Sequence, residues 1–259
     1  MEKNGLLLKL ATEIATKAGD LLLERFGSVA TGVETKSTPT DVVTDADRDS
    51  EALVISRIEA ARPDDGIVTE EGAERPSASG VTWIVDPLDG TVNYIFGIPV
   101  WGVSIAVHDG AGPLIGVVND PNRGEIFAAR RGEGSTLNGN PIHVSDKSDL
   151  SMALIGTGFA YDSQSREQQA ARLPHLLPLV RDIRRAGSAA IDLAWLACGR
   201  LDGFFEAPMM LWDKAAGELL ITEAGGIVTP LDAPVGDDTG VIAAGPHLHD
   251  KLSKLVRGG

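Results

Sequence analysis

Four apolar runs set the strongest constraint on what this chain can fold into. Val81–Val85, Val100–Val107, Leu114–Val118 and Ile126–Ala129 follow one another with Gly-rich turns between them. Val81–Val85 reads as a strand, and the other three runs read as successive strands of an antiparallel sheet. After about residue 147 the pattern changes to an alternation. Strand-like Ala153–Gly156 precedes a polar helical stretch near 163–180, and Arg184–Ala186 reads as another strand. Ser188–Cys198 is helical and stops at Gly199, Gly203–Glu206 is a short strand, and Asp213–Ala224 is a helix capped by Gly225-Gly226. Strand and helix in turn predict a second, α/β half.

Two helices precede the sheet. Leu7, Leu10, Ile14, Ala18, Leu21 and Leu22 recur at helical spacing within residues 5–26, with Gly27 as the stop. A second helix is expected over 45–61, with Thr44 or Asp45 as N-cap and Pro63 beyond its end. Gly66–Val68 is a further short apolar run, Asn138-Gly139 a turn, and Pro230–Asp238 the most loop-like stretch. With 259 residues, at about 150 per domain, one or two domains are expected and no disulfide is needed for stability.

Charge excludes some partners. Against 37 acidic residues there are 23 Lys and Arg, a formal net charge of −14. Duplex nucleic acid and anionic membrane surfaces are repelled by such a field. Leu6-Leu-Leu8 is interrupted by Lys9, and the longest uncharged stretch, Gly90–His108, contains Asn93, Gly97, Pro99 and Gly102. Neither a signal peptide nor a membrane span is expected, and a cytoplasmic location is the default. One cysteine, Cys198, excludes a disulfide framework; it reads as inert helix core. His247 and His249 read as surface, and Ser104 as a sheet residue.

The informative carboxylates stand at the ends of apolar segments. Asp86 follows Trp83-Ile-Val85 directly, and Pro-Leu-Asp89-Gly-Thr91 comes next. The expectation is a strand that ends there, a proline turn, and two carboxylates at its mouth. Such a pair serves as a helix cap or as part of a hard-cation site, since Mg²⁺ takes oxygen ligands. Glu70-Glu71 follows Ile67-Val-Thr69, and two adjacent like charges are costly unless solvated or shared with a cation. Asp213 precedes an apolar-periodic helix, where its local reading is an N-cap. The segment Lys36–Asp47 adds Asp41, Asp45 and Asp47.

Taken in order, these segments resemble the inositol monophosphatase family of Mg²⁺-dependent, lithium-sensitive sugar-phosphate phosphatases. Asp86-Pro-Leu-Asp-Gly-Thr91 with Val-Asn-Tyr94 is similar to the family's first signature, and Leu211-Trp-Asp213 through Glu223-Ala-Gly-Gly226 to its second. Glu70-Glu71, Asp41–Asp47 and Gly132–Gly139 fall in the expected order, so the resemblance spans nearly the whole chain. It implies a layered αβαβα sandwich: an α+β half over 1–147 carrying most metal ligands, and a smaller α/β half over 148–259 carrying Asp213 and the substrate pocket.

The resemblance also implies roles. Two or three Mg²⁺ ions would be held by Glu70, Asp86, the Leu88 carbonyl, Asp89 and Asp213, with Asp86 as the bridge and Glu70 also serving catalysis through a third ion. Thr91, backed by Asp47, would orient the attacking water, and the N–H groups of Gly90 and Thr91 would bind phosphate. Asp89, Ala189, Glu206 and Asp213 would face the alcohol. The implied substrate is inositol 1-phosphate or a similar polyol phosphate, and the implied assembly a homodimer. Histidinol phosphate, fructose 1,6-bisphosphate and adenosine 3′,5′-bisphosphate are the alternative esters; a regulatory binding protein that keeps the fold is the alternative class. Met210 stands where some animal members have histidine near the pocket, which implies a different leaving-group side; Val92 and Tyr94 replace Thr and Phe, changes expected to affect packing.

Overall fold

The computed structural model describes residues 2–27, 31–35, 42–233 and 239–258. The expectations for Lys36 and Asp41 lie outside the described residues. Helix α1 spans Glu2–Arg25 and buries Leu7, Ala11, Ile14, Ala15, Ala18 and Leu22 on one face. Gly27, at φ +82°, turns the chain out of the helix in a conformation that favours glycine. A short antiparallel pair, β1 (Glu34–Thr35) and β2 (Val42–Val43), precedes α2 (Asp45–Ala61). Thr44 is its N-cap: the Thr44 hydroxyl accepts from the Ala46 N–H at 3.1 Å, and the Asp47 carboxylate accepts from the Thr44 N–H at 2.8 Å. Asp45 is not the cap and pairs with Arg48 instead.

The first sheet has eight strands: β3 (Gly66–Thr69), β4 (Glu74–Arg75), β5 (Thr82–Asp89), β6 (Gly102–Asp109), β7 (Gly112–Asp120), β8 (Glu125–Arg130), β9 (Ser135–Leu137) and β10 (Asn140–Ile142). Their order is β10-β9-β8-β7-β6-β5-β3-β4, antiparallel except for the β3–β5 pair. Helix α3 (Thr91–Ile95) connects β5 to β6. Asn138 (φ +49°) and Gly139 (φ +79°) form the two-residue hairpin turn between β9 and β10. One expectation needs correcting here. The strand does not end at Val85: β5 runs on through Asp86 to Asp89, paired with β6, and its register shifts between those two residues. The irregularity absorbs Pro87 within the strand and leaves both carboxylates on strand backbone.

The second sheet holds β11 (Leu154–Thr157), β12 (Asp182–Arg184), β13 (Gly203–Glu206), β14 (Ile227–Asp232) and β15 (Thr239–Ala244), in the order β12-β11-β13-β15-β14. Between them run α4 (Ser163–Leu176), α5 (Ala189–Ala197), α6 (Leu211–Glu223) and, after the last strand, α7 (His249–Arg257). Helix α4 gives way to a 3₁₀ turn over Leu177–Leu179, earlier than expected, because Pro178 has no N–H to continue the ladder. Strand β12 lies two residues before its expected place; the Ala186 carbonyl instead accepts from Asn93 Nδ2 at 2.9 Å. Pro230 is in a strand rather than a loop, on the edge strand β14 where a missing N–H is tolerated. Cys198 is the C-cap of α5 and half-buried rather than core. His249 is buried, its Nε2 3.0 Å from the Thr229 hydroxyl, not a surface residue.

The layers are the expected αβαβα sandwich. Helices α1 and α2 cover the outer face of the first sheet, α5 and α6 lie between the two sheets, and α4 and α7 cover the far side. Helix α6 approaches the first sheet closely because a glycine faces it. A Cβ on Gly116 would sit 2.7 Å from the Ala216 carbonyl oxygen. Gly116→Val is expected to cost about 2 kcal/mol by overpacking this contact. Chemical denaturation checks it, and a loss below about 0.5 kcal/mol would show that α6 has room to retreat.

Candidate active site

Five segments far apart in sequence meet at one cavity of about 460 Å³, large enough for a sugar-sized ester. Glu70 comes from the end of β3, where its N–H donates to the Val85 carbonyl at 3.2 Å. Asp86, Leu88 and Asp89 come from the irregular end of β5, followed by Gly90 and Thr91 at the start of α3. Asp213 and Glu206 come from the second half, with Ala189 at the head of α5. All nine of these residues line the cavity. Asp47 does not; it lies wholly buried behind Thr91. Glu71 is not on the wall.

Local bonds fix the geometry. The Asp86 carboxylate accepts from the Leu88 N–H at 3.0 Å, closing the chain around Pro87. Gly90 is left-handed at φ +95°, and a Cβ there would stand 3.0 Å from the Val100 carbonyl oxygen. Thr91 Oγ1 lies 2.9 Å from Asp47 Oδ1 and 3.1 Å from the Leu88 carbonyl oxygen, able to donate to either. Asp89 ties the halves together: its Oδ2 accepts from the Ser188 hydroxyl and the Ala190 N–H, both at 2.6 Å. Asp213 is the third residue of α6 rather than its N-cap, and its carboxylate accepts from the Met210 N–H at 2.8 Å. Tyr94 serves packing, as expected: its hydroxyl donates to the Leu22 carbonyl at 2.7 Å and its ring stands edge-on to Trp101.

Electrostatically the site is under load. Burial, then Glu70, Asp89 and Asp213, push the Asp86 carboxyl well above the usual carboxylate range. A side-chain contact with Glu70 raises the Asp86 carboxyl further. Burial also raises Asp213, reinforced by Asp89 and Glu70, and lifts Asp89 to about 6 despite the bonds from Ser188 and Ala190. Asp47 is raised by burial, against the opposing bonds from Thr44 and Thr91. Glu206 is pushed up to about 8 by burial and by Asp192. As placed, the described side chains form no cluster of three or more ligating groups around a single point. The carboxylates ring the cavity instead. Such a set, hard oxygen donors that raise one another's proton affinity, fits divalent cations better than protons near neutral pH.

Several wall residues were not read from the sequence as single residues: Ser188, which holds Asp89; Asp192 on α5; and Arg185 and Gly158. Asp192 had a visible signal. It is the one charged residue in Ala189–Ala197, an otherwise apolar helix.

The chain matches the inositol monophosphatase family over residues 4–258. It is 42% identical to the inositol-1-monophosphatase of Mycobacterium leprae, over 94% of this chain and 89% of that one. It is 40% identical to the Nus factor SuhB of Pasteurella multocida, over 97% and 96%. Among solved structures, the extragenic suppressor protein suhB of Bartonella henselae superposes with a TM-score of 0.92 at 36% identity, covering 98% of this chain and 99% of that one. With the fold, the order of the carboxylate segments and these likenesses in agreement, the chain belongs to the inositol monophosphatase family.

Proposed function

We propose that this chain is a divalent-metal-dependent phosphomonoesterase acting on inositol 1-phosphate or a similar polyol phosphate. The observation that carries the reading is the meeting of Glu70, Asp86, Asp89 and Asp213, from both halves of the chain, on one cavity wall beside Thr91. Glu70, Asp86, the Leu88 carbonyl, Asp89 and Asp213 would hold two or three Mg²⁺ ions, with Asp86 shared. Bound there, the ions supply positive charge that attracts the phosphate, activates water and steadies the leaving oxygen.

The chain's own groups do the rest. Thr91 Oγ1 donates its proton to Asp47 Oδ1, which leaves the oxygen free to accept from a water lying in the cavity. Asp47, buried with a raised proton affinity, is suited to receive a proton passed through Thr91. The N–H groups of Gly90 and Thr91 contribute donors to a phosphate without adding charge. Ala189 and Glu206 line the same cavity and would face the alcohol. A homodimer belongs to the same reading.

The test is phosphate release with Mg²⁺, with and without chelator, from inositol 1-phosphate, histidinol phosphate, fructose 1,6-bisphosphate and adenosine 3′,5′-bisphosphate. Turnover of the inositol ester, abolished by chelator and restored by Mg²⁺, is expected. Hydrolysis undiminished by chelator would refute the metal chemistry; preference for another ester would replace the substrate. Relatives named Nus factor SuhB favour a second reading, a regulatory binding role on the same fold. A cellular effect that survives Asp213→Asn while turnover is lost would support it.

A further inference from the structure

The cavity has a wall that the hydrolytic arrangement leaves unused. Asp192, in the first turn of α5, lines it, is 2% exposed, and has a carboxylate oxygen, Oδ1, without a hydrogen-bond partner. Buried polar atoms are nearly always paired, so an orphaned carboxylate oxygen on a cavity wall points to a ligand. The Ala186 backbone and the Arg185 charge both favour the ionised carboxylate, against burial and the nearby Asp89. Arg185 lines the same cavity and acts on Asp192 through its field, without a hydrogen bond. Its Nη1 rests over Gly187, where a Cβ would come within 2.9 Å. Glu206 completes the wall, its carboxylate occupying the space that a side chain at Gly158 would fill. Cation and carboxylates thus face one cavity with the Arg185–Asp192 pair left open.

We propose that Asp192 is a specificity-determining residue: its Oδ1 accepts a hydrogen bond from a hydroxyl of the leaving alcohol, while Arg185 donates to that hydroxyl or its neighbour. The inference rests on the phosphatase reading and narrows its substrate to neutral polyol esters. The sign pattern decides this. A second phosphate on the substrate meets Arg185 but also the carboxyl groups of Asp192 and Glu206. An ammonium or imidazolium group finds acceptors in Asp192 and Glu206 but offers none to the Arg185 donors, whose like charge it meets. A hydroxyl both donates and accepts, so it alone satisfies the acceptor and the donor together.

The experiment compares inositol 1-phosphate with cyclohexyl phosphate, its hydroxyl-free counterpart, in the Mg²⁺-loaded wild type and in Asp192→Asn. The variant keeps the side chain's volume and replaces one carboxylate oxygen by an NH₂, a donor where the substrate needs an acceptor. The wild type is expected to prefer the inositol ester, and the variant to lose kcat/KM on that ester about tenfold more than on cyclohexyl phosphate, mainly through KM. An equal loss on both esters would make Asp192 a structural residue and overturn the proposal. So would a wild type that hydrolyses the two esters equally well, a result that needs no variant. Turnover of neither ester, with Mg²⁺ present, would instead overturn the phosphatase reading and take this inference with it.

Discussion

Asp86→Asn is expected to lower kcat/KM by roughly three orders of magnitude while leaving the chain folded. Asp86 is the carboxylate that feels all three others, Glu70, Asp89 and Asp213, and it is fully enclosed. Asparagine keeps the shape and an oxygen to accept from the Leu88 N–H, so the turn around Pro87 survives. What goes is the charge between the other carboxylates, and with it the shared ligand of the proposed metal pair. Removing a buried, mutually repelled charge also relieves the metal-free protein, so its thermal stability should hold or rise. Steady-state kinetics at saturating Mg²⁺, with a parallel thermal melt, checks both parts. Activity within tenfold of wild type would show that Asp86 bridges nothing.

Much of this arrangement was legible in the sequence, and the failures have physical causes. Helix α2 was readable because its cap is local: Thr44 and Asp47 satisfy the same turn that their spacing announces. The central antiparallel strands were readable because each is bounded by turn chemistry. The end of β5 was misread because Pro87 between two aspartates looks like a turn from local rules alone. Pairing with β6 across a register shift keeps it a strand, and that is tertiary information. Asp213 was misread as a cap for a similar reason. It begins the apolar period of α6, but the helix starts two residues earlier, so the carboxylate reaches back to Met210 from the third position. The carboxylate set was legible only jointly, since Glu70, Asp89 and Asp213 each have an ordinary explanation alone. The rest of the cavity lining was legible at Ala189 and Glu206 but not at every residue. Ser188, Gly158 and Arg185 are common residue types whose meaning comes from what the fold sets against them.

The metal-free protein is expected to lose stability as pH rises from 5 to 8, and saturating Mg²⁺ is expected to restore it. Asp86, Asp89 and Asp213 all have folded-state proton affinities above the unfolded carboxylate value, Asp89 at about 6, with burial the largest cause in each case. For an acid raised in this way, the fold binds protons more tightly than the unfolded chain. Its contribution is therefore fully present below the unfolded value near 4 and is lost as pH climbs through the folded values. A rise from 3.8 to about 6 at Asp89 corresponds to a total loss on the order of 3 kcal/mol, of which about half, or roughly 3–5 °C in melting temperature for a chain of this size, falls above pH 5. A divalent cation supplies the charge that the proton supplied at low pH, so its stabilising increment should grow with pH. Melts of chelated and Mg²⁺-saturated protein at pH 5, 6, 7 and 8 measure the two curves directly. They should converge at low pH and separate above 6, and in Asp86→Asn the separation should shrink. Parallel curves, or a metal increment largest at pH 5, would mean that the cavity carboxylates are not the groups the metal relieves.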